Sequence, residues 1–234
     1  MLLSYIFLIY IILSYKCFSC CSNVGNTNSK NENITNFNLK NIVTTRGKQL
    51  NIETIDKKVV EKHLSAQNST IDGSTFKTAL KEIEKGKKIS CWMWYIFPQI
   101  YGLGNSKMNE KYSLKSKEEV IEYLKNDNLR NNLIKITKVL IECKNKYPEK
   151  GIGDIFNGDE VKLKSSMTLF NLFFEYIASK NIVINNYHSS AIFLEKNEIK
   201  TKNHKKNIFE HVLDIYFNGQ YCNFTQKEVL KWLK

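Results

Sequence analysis

The stretch Ser90–Ser106, SCWMWYIFPQIYGLGNS, constrains the fold of this 234-residue chain more than any other segment. Two of the three tryptophans flank Met93 there, and Tyr95, Ile96 and Phe97 follow directly. Aromatic rings contribute much of the energy of burial, and a run without a polar face has to be covered by the rest of the fold. We therefore predict that this stretch forms the spine of the hydrophobic core.

Composition and charge limit the class of protein. With 42% hydrophobic residues, the chain has enough apolar material for one domain and a short appendage. It is basic, with 35 Lys and Arg against 23 Asp and Glu, a net charge of +12. The excess is spread along the chain and does not alternate with stacking aromatics, which disfavours nucleic acid as a partner and favours a solvated, lysine-rich surface.

Cysteine and histidine spacing argues against a metal centre. The six cysteines include no repeated CxxC pair, and no cysteine and histidine stand at zinc-finger spacing. The four histidines are scattered along the chain. We predict no metal site and no disulfide scaffold.

The amino-terminal segment resembles a targeting signal. Leu2–Leu13 is almost wholly apolar, which suits a signal peptide over residues 1–22 and is too short to span a bilayer. An uncleaved signal-anchor is the alternative. We predict entry into the secretory pathway, to the exterior or to an organelle such as a plastid, with no stable membrane span after signal removal. The sequons at Asn33, Asn68 and Asn223 are then glycan acceptors.

Residues 23–70 are rich in Asn, Lys, Thr and Ser, and their isolated aliphatic residues lack a sustained period. Such a segment buries too little apolar surface to offset its ordering entropy, so we predict a flexible leader. From Ile71 onward, apolar residues recur at helical spacing, and the Thr225–Glu228 pair suggests a capped last helix. We predict an all-α fold, a single compact domain of about six helices over residues 71–234, with a peripheral insertion at 181–207.

Three stretches together resemble one family: CWMWYIFPQIYGLGNSKMNEKYSL at Cys91–Leu114, DEVKLKSSMTLF at Asp159–Phe170 and FEHVLDIYFNGQ at Phe209–Gln220. They are similar to domain-of-unknown-function family 1810, a small all-helical family often labelled "calpastatin". The resemblance implies an all-α fold and supplies no activity. Inhibitors of that name are long and disordered, so the label does not suit this aromatic-rich body.

Two positions depart from the pattern of the family. Members usually carry histidine before WMW, where this chain has Cys91, and aspartate after the late helix, where it has Cys222. If the two family positions touch, the resemblance implies a disulfide between Cys91 and Cys222 in an oxidising compartment. The alternative is that each substitution arose independently, and both interpretations stay open here.

Two motifs supply candidate ligand-binding residues, one from the aromatic spine and one from KLKSSMTLF. A lysine and several hydroxyls that share helical faces suit an anionic or carbonyl group, while tryptophans provide apolar contact. We predict one concave site between the motifs for a small anionic or polar ligand, and the sequence leaves any cofactor open. The candidate residues are Trp92, Trp94, Gln99, Lys162, Ser165, Ser166 and Thr168.

Other interpretations of these residues remain. In a purely structural one, the serines bond backbone carbonyls, Lys162 pairs with an acid and the tryptophans only fill the core. In an enzyme, Cys91 would serve as a thiolate or Lys162 as a base. A structural or protein-interaction module would instead show an exposed apolar patch outside the two motifs.

Overall fold

A computed structural model of the protein describes residues 52–180 and 206–234. In these two ranges the chain forms ten α-helices and no β-strand. An isolated parallel bridge joins Ile100 to Leu114 across the turn that follows the aromatic spine. The predicted all-α class is confirmed.

Long helices supply the layers of the domain, and three helices of four to six residues turn the chain between them. In chain order the helices are α1 Ile52–Asn68, α2 Phe76–Glu84, α3 Met93–Ile96, α4 Lys107–Tyr112, α5 Lys117–Lys125, α6 Asp127–Lys146, α7 Ile152–Phe156, α8 Glu160–Ser179, α9 Ile208–Phe217 and α10 Asn223–Trp232.

Helix α8 is the centre of the domain. Twelve of its 20 residues are buried, and it packs against α3, α7, α9 and α10. Helix α6 forms the second layer, in contact with α1, α2, α5 and α9. Because α8 is covered on most sides, polar side chains on it have to find partners inside the protein.

The aromatic stretch is the core spine that the sequence predicts. Every residue from Trp92 to Phe97 is at most 1% exposed. Trp92 and Phe97 both contact the ring of Phe156 on α7, with ring centroids 6.1 Å apart in each pair. The spine therefore joins α7 and α8 to the helices that precede it.

The turn before α2 approaches this spine so closely that only glycine fits at position 73. Gly73 has φ of +144°, and a Cβ there would lie 1.8 Å from the carbonyl oxygen of Cys91. The hydroxyl of Tyr95 lies 2.8 Å from the Ser74 carbonyl and 3.0 Å from the Cys91 carbonyl. These contacts hold the turn against the start of α3.

Helix α1 lies within the segment predicted to be a flexible leader, and the structure corrects that prediction for residues 52–68. Val59, His63 and Ala66 are buried, and α1 packs against α3, α5 and α6. These residues stand at i, i+4 and i+7. Because the middle one is polar and charged residues fill the gaps, the apolar stripe is too sparse to indicate a helix.

Two predicted features lie outside the described residues, namely the apolar stretch Leu2–Leu13 and the bulk of the insertion, residues 181–205. Asn207, at the end of the predicted insertion, is described and caps α9 by accepting from the amides of Phe209 and Glu210. Across residues 52–180 and 206–234, no helix combines the length and apolar character that a membrane span requires.

Candidate functional site

Two lysines and one aspartate meet at the amino-terminal end of α8. Asp159 Oδ2 lies 2.7 Å from Lys88 Nζ, and Asp159 Oδ1 lies 2.5 Å from Lys162 Nζ. The side chain of Asp159 is 2% exposed, while those of Lys88 and Lys162 are 5% and 15% exposed. Asp159 occupies the N-cap position without capping the helix, because both carboxylate oxygens face ammonium groups.

Each ammonium group also lies over the face of a tryptophan from the aromatic spine. Lys88 Nζ is 5.2 Å from the ring centroid of Trp92, and Lys162 Nζ is 5.2 Å from that of Trp94. A cation over an indole face is attracted by the negative face of the ring, and more strongly when it is desolvated. The cluster therefore contains residues of both motifs, namely Trp92, Trp94 and Lys162, together with Lys88 and Asp159.

A second buried carboxylate, Glu82 on α2, organises the loop that carries Lys88. Glu82 Oε2 accepts from the amides of Ile89 and Ser90 at 2.7 and 3.0 Å and from Trp92 Nε1 at 2.8 Å. Glu82 Oε1 accepts from the Ser90 hydroxyl at 2.5 Å. Four donors converge on one side chain that is 7% exposed, which fixes the plane of the Trp92 indole beneath Lys88.

Two hydroxyl groups of α8 form hydrogen bonds with residues at the start of α10. Ser165 Oγ lies 2.8 Å from Thr225 Oγ1 on α10. Thr168 Oγ1 donates to the Lys164 carbonyl and accepts from the amide of Cys222, at 2.8 and 2.9 Å. Both hydroxyls thus join α8 to α10.

The link to α10 also corrects the predicted cap of that helix. Cys222 occupies the N-cap position, and Thr225 lies within the first turn. The Thr225 hydroxyl forms a hydrogen bond with Ser165 on the neighbouring helix. It does not cap the amino terminus of α10. The start of α10 is therefore decided by packing against α8, which local spacing does not reveal.

Gln99, predicted as a polar anchor for a ligand, is directed to the spine itself. Its side-chain nitrogen donates to the carbonyls of Met93, at 3.2 Å, and of Phe97. These acceptors belong to α3 and its carboxyl-terminal cap, and the Met93 carbonyl also accepts from the amide of Phe97. The amide group of Gln99 therefore stabilises the end of the spine.

Two buried donors beside Lys162 lack a hydrogen-bond partner among the described residues. They are the indole N–H of Trp94 and the hydroxyl of Ser166, whose side chains are 1% and 0% exposed. Ser166 stands one helical turn after Lys162, and Trp94 lies directly under the Lys162 ammonium. A buried donor without an acceptor costs about 1–3 kcal/mol, so this part of the cluster is suited to an added oxygen atom.

The cysteines do not form the crosslink that the resemblance implies. Cys91, Cys143 and Cys222 are all thiols in the described part of the chain. Cys222 begins α10 against Thr168, whereas the Cys91 backbone is held by Tyr95 at the start of α3. Cys91 and Cys222 are half-buried. Cys143 is packed in the core, and burial raises the pKa of its thiol.

Nothing in the described ranges brings together three or more His, Cys, Asp or Glu side chains in a geometry that holds a metal ion. The titratable groups of the cluster instead form ion pairs and charge-assisted hydrogen bonds. Chemically, the cluster presents the Lys162 ammonium group beside an indole face and two hydrogen-bond donors that lack acceptors among the described residues.

The sequence finds part of this cluster and misses part. Trp92, Trp94, Lys162 and Ser166 are predicted and lie in it. The sequence does not predict Lys88, Asp159 or Glu82. No local motif marks Lys88 or Glu82. The Asp159–Lys162 spacing of three residues is the one available signal, since such residues are neighbours on a helix.

Fold and site together define the class of protein: an all-α domain whose aromatic spine meets a buried lysine–aspartate cluster at the start of its central helix. The sequence profile of the family described as "Protein of unknown function (DUF1810)" matches residues 57–192, more than half of the chain. The chain belongs to this family, and the predicted resemblance is confirmed. The matched region includes most of α1, in agreement with its place in the core.

A solved structure shares the fold. The crystal structure of a conserved hypothetical protein from Mycobacterium tuberculosis is 26% identical and superposes with a TM-score of 0.52. The alignment covers 74% of this chain and 96% of the mycobacterial one. No curated protein matches the chain significantly. Neither the family nor the neighbour carries a described activity, so membership supports no specific function.

Proposed function

We propose that the domain binds a small ligand through an anionic or carbonyl group at Lys162, between α3 and α8. The observation that carries the proposal is the pair of buried donors without acceptors, Trp94 Nε1–H and Ser166 Oγ–H, beside the Lys162 ammonium. A ligand oxygen in this position would satisfy donors that the described residues leave unused.

The two lysines differ in a way that supports this assignment. Lys88 is 5% exposed and its backbone amide donates to the Ile155 carbonyl at 2.7 Å, so it is anchored at both ends. Lys162 is three times more exposed, at 15%, and is tied by one carboxylate oxygen. Lysine has three donor hydrogens on a flexible stem, so Lys162 is the group that can turn towards a ligand.

Burial of the surrounding groups favours binding once a ligand arrives. An ammonium in a site of low dielectric attracts an anion more strongly than the same group does in water. The faces of Trp92 and Trp94 remain fixed by the core, and Asp159 holds Lys88 in place. Apart from the Lys162 side chain the site is therefore preorganised, which lowers the entropy cost of binding.

A thermal-shift experiment on the full chain tests the proposal. Sodium acetate and inorganic phosphate are titrated at constant ionic strength against the wild type, Lys162→Ala and Lys164→Ala. Lys164 is the matched control, because it is a partly exposed lysine on the same helix that contacts Gln220 and the ring of Phe217.

Ligands that bind the folded state raise the midpoint of unfolding, and the stabilisation grows as the logarithm of 1 + [L]/Kd. We expect at least one anion to raise the Tm of the wild type and of Lys164→Ala, each relative to its own ligand-free Tm, and to leave Lys162→Ala unchanged. An equal shift in Lys162→Ala, or no shift in the wild type, would overturn the proposal.

A further inference from the structure

We infer that the ligand is a monocarboxylate with an apolar substituent, and that Val161 and Phe224 contact the substituent. This inference rests on the proposed anion site at Lys162 and adds the class of ligand. It depends on exposed apolar side chains near the cluster and on the charge already present there.

Three large apolar side chains are exposed, on α8, at the start of α10 and in the turn after the spine. Val161 is 54% exposed, Phe224 is 39% exposed and Tyr101 is 50% exposed. Val161 directly precedes Lys162 in α8, and Phe224 lies in the first turn of α10. Scattered apolar residues on a surface need no explanation, but a contiguous group beside a polar site does.

Contacts between neighbouring residues connect the three positions. Val161 and Ser165 stand one turn apart on the same face of α8, and Ser165 bonds to Thr225, the neighbour of Phe224. On its other side, the Phe224 ring lies against Gly102, where an added Cβ would be 3.1 Å from Cζ. The apolar strip therefore runs from α8 over α10 to the turn after the spine, where Tyr101 is located.

The polar and apolar strips are neighbours on α8. Lys162 and Ser166 share the face that meets Trp94 of α3, while Val161 and Ser165 share the adjacent face that meets α10. Consecutive residues of a helix differ by 100°, so the two faces adjoin. A ligand with its charged group at Lys162 and its remainder along α8 towards α10 would thus cover Val161 and Phe224.

Charge selects a monoanion over a dianion. Asp159 lies between the two ammonium groups, and Glu82 accepts from the indole N–H of Trp92 beneath Lys88. A phosphate dianion would bring two further negative charges close to these buried carboxylates, and like charges repel strongly where water is excluded. In number, the donors of Trp94 and Ser166 that lack acceptors equal the oxygens of one carboxylate.

The test is calorimetric titration of the full chain with acetate, benzoate and inorganic phosphate, in the wild type and in four variants. Acetate and benzoate carry the same charged group and differ in the apolar substituent. Lys162→Ala removes the anion site, and Val161→Ser and Phe224→Ser remove the apolar contacts. Leu230→Ser is the matched control, because Leu230 is 47% exposed on the same helix as Phe224.

We expect benzoate to bind the wild type at least tenfold more tightly than acetate, and neither to bind Lys162→Ala. Phe224→Ser and Val161→Ser should each weaken benzoate about three- to tenfold and leave acetate unchanged, while Leu230→Ser changes neither. Equal affinities for acetate and benzoate, or a preference for phosphate, would overturn the inference and leave the anion site intact. Binding that persists in Lys162→Ala would instead overturn the proposed function.

Discussion

Lys88 Nζ lies 2.7 Å from Asp159 Oδ2, and both side chains are almost completely buried. The pair joins the loop after α2 to the N-cap position of α8, so it holds Trp92 and Lys162 in one cluster. Buried pairs depend on both partners, because removing one leaves a charge in a medium that solvates it poorly.

Asp159→Asn is therefore expected to destabilise the protein strongly. The variant leaves the ammonium groups of Lys88 and Lys162 without this carboxylate, at a cost of about 3–5 kcal/mol in the free energy of unfolding. Urea denaturation measures the change. The double variant Lys88→Met/Asp159→Asn should be less destabilised than Asp159→Asn, because the buried ammonium has also been removed.

An ion pair on the surface of α10 serves as the control for the Asp159 variants. Lys231 and Glu228 lie 2.6 Å apart on α10, with side chains 55% and 28% exposed. Glu228→Gln is expected to change the free energy of unfolding by less than about 1 kcal/mol. A similarly small loss in Asp159→Asn would show that the buried cluster does not stabilise the fold.

Glu82→Gln tests the role of the second carboxylate. One amide oxygen cannot accept from the amides of Ile89 and Ser90 and from the Trp92 indole as well as the carboxylate does. We expect a loss of about 2–4 kcal/mol, from weaker hydrogen bonds and from donors left without acceptors. Glu84→Gln, two residues later and exposed, is the matched control.

The fluorescence of the folded Glu82→Gln variant provides a second measurement, because Trp92 loses its hydrogen bond to this side chain. The emission of the native state should change in Glu82→Gln and stay constant in Glu84→Gln. Unaltered stability and emission in both variants would contradict the role of Glu82 as the organiser of the loop.

His63 makes stability depend on pH. The imidazole is fully buried, with Nδ1 2.7 Å from the Val59 carbonyl and Nε2 3.1 Å from the Tyr112 carbonyl. Burial lowers the pKa of His63 to about 4, against 6.5 in an unfolded chain. A neutral imidazole carries one N–H, so it donates to one of the two carbonyls.

The direction of the effect follows from which state binds the proton. Above pH 6.5 the histidine is neutral in both states; as the pH falls towards 4, the unfolded chain takes a proton and the folded protein does not. The free energy of unfolding should fall by up to about 3 kcal/mol over this window. Below pH 4 the histidine adds no further pH dependence.

His63→Gln isolates this contribution, because glutamine retains a side-chain donor and does not titrate. Urea denaturation at intervals from pH 4 to pH 7 should give a steeper decline for the wild type than for the variant. Parallel profiles would show that the folded protein protonates His63 as easily as the unfolded chain does.

We propose that the chain enters the secretory pathway through Leu2–Leu13, and the fold makes this testable through glycosylation. Asn68 is exposed at the end of α1, with an exposed Thr70 two residues later. The equivalent threonine of the Asn223 sequon, Thr225, is buried and bonded to Ser165. Asn223 itself is exposed, so in the folded protein the two sequons differ in the accessibility of the threonine.

Expression of the full chain in eukaryotic cells, followed by glycosidase treatment and electrophoresis, checks the prediction. Asn68→Gln should remove one glycan, whereas Asn223→Gln should leave the mobility unchanged. A chain that retains residues 1–22, stays in the cytosolic fraction and carries no glycan would rule out secretory entry.

Several features of this protein could be predicted because they depend on local sequence. Helical periodicity predicts the all-α class, and the absence of a polar face in WMWYIF predicts the buried spine. Ser116 is another case, since its hydroxyl caps α5 by accepting from the amide of Glu119 three residues later. In each case the interacting groups are close in the chain, so residue spacing alone carries the information.

Partners that are distant in the chain could not be predicted in this way. Lys88 and Asp159 are 71 positions apart, and a lysine in a basic chain gives no sign that it will be buried. Helix α1 is not predicted for a related reason, because the buried His63 bonds the Tyr112 carbonyl and packs against the rings of Tyr112 and Tyr123, which are distant in the chain. Whether a polar residue is buried depends on the partners that packing brings to it.

By itself, the sequence determined the helical class, the aromatic core and the family. The tertiary structure alone decided which lysine is anchored, which hydroxyls are used and which donors remain without acceptors. The physical reason is that burial of apolar surface is non-directional and follows from residue pattern, whereas a hydrogen bond or ion pair between buried groups needs particular atoms within about 3 Å. Only the packing of α3, α7, α8 and α10 supplies that proximity here.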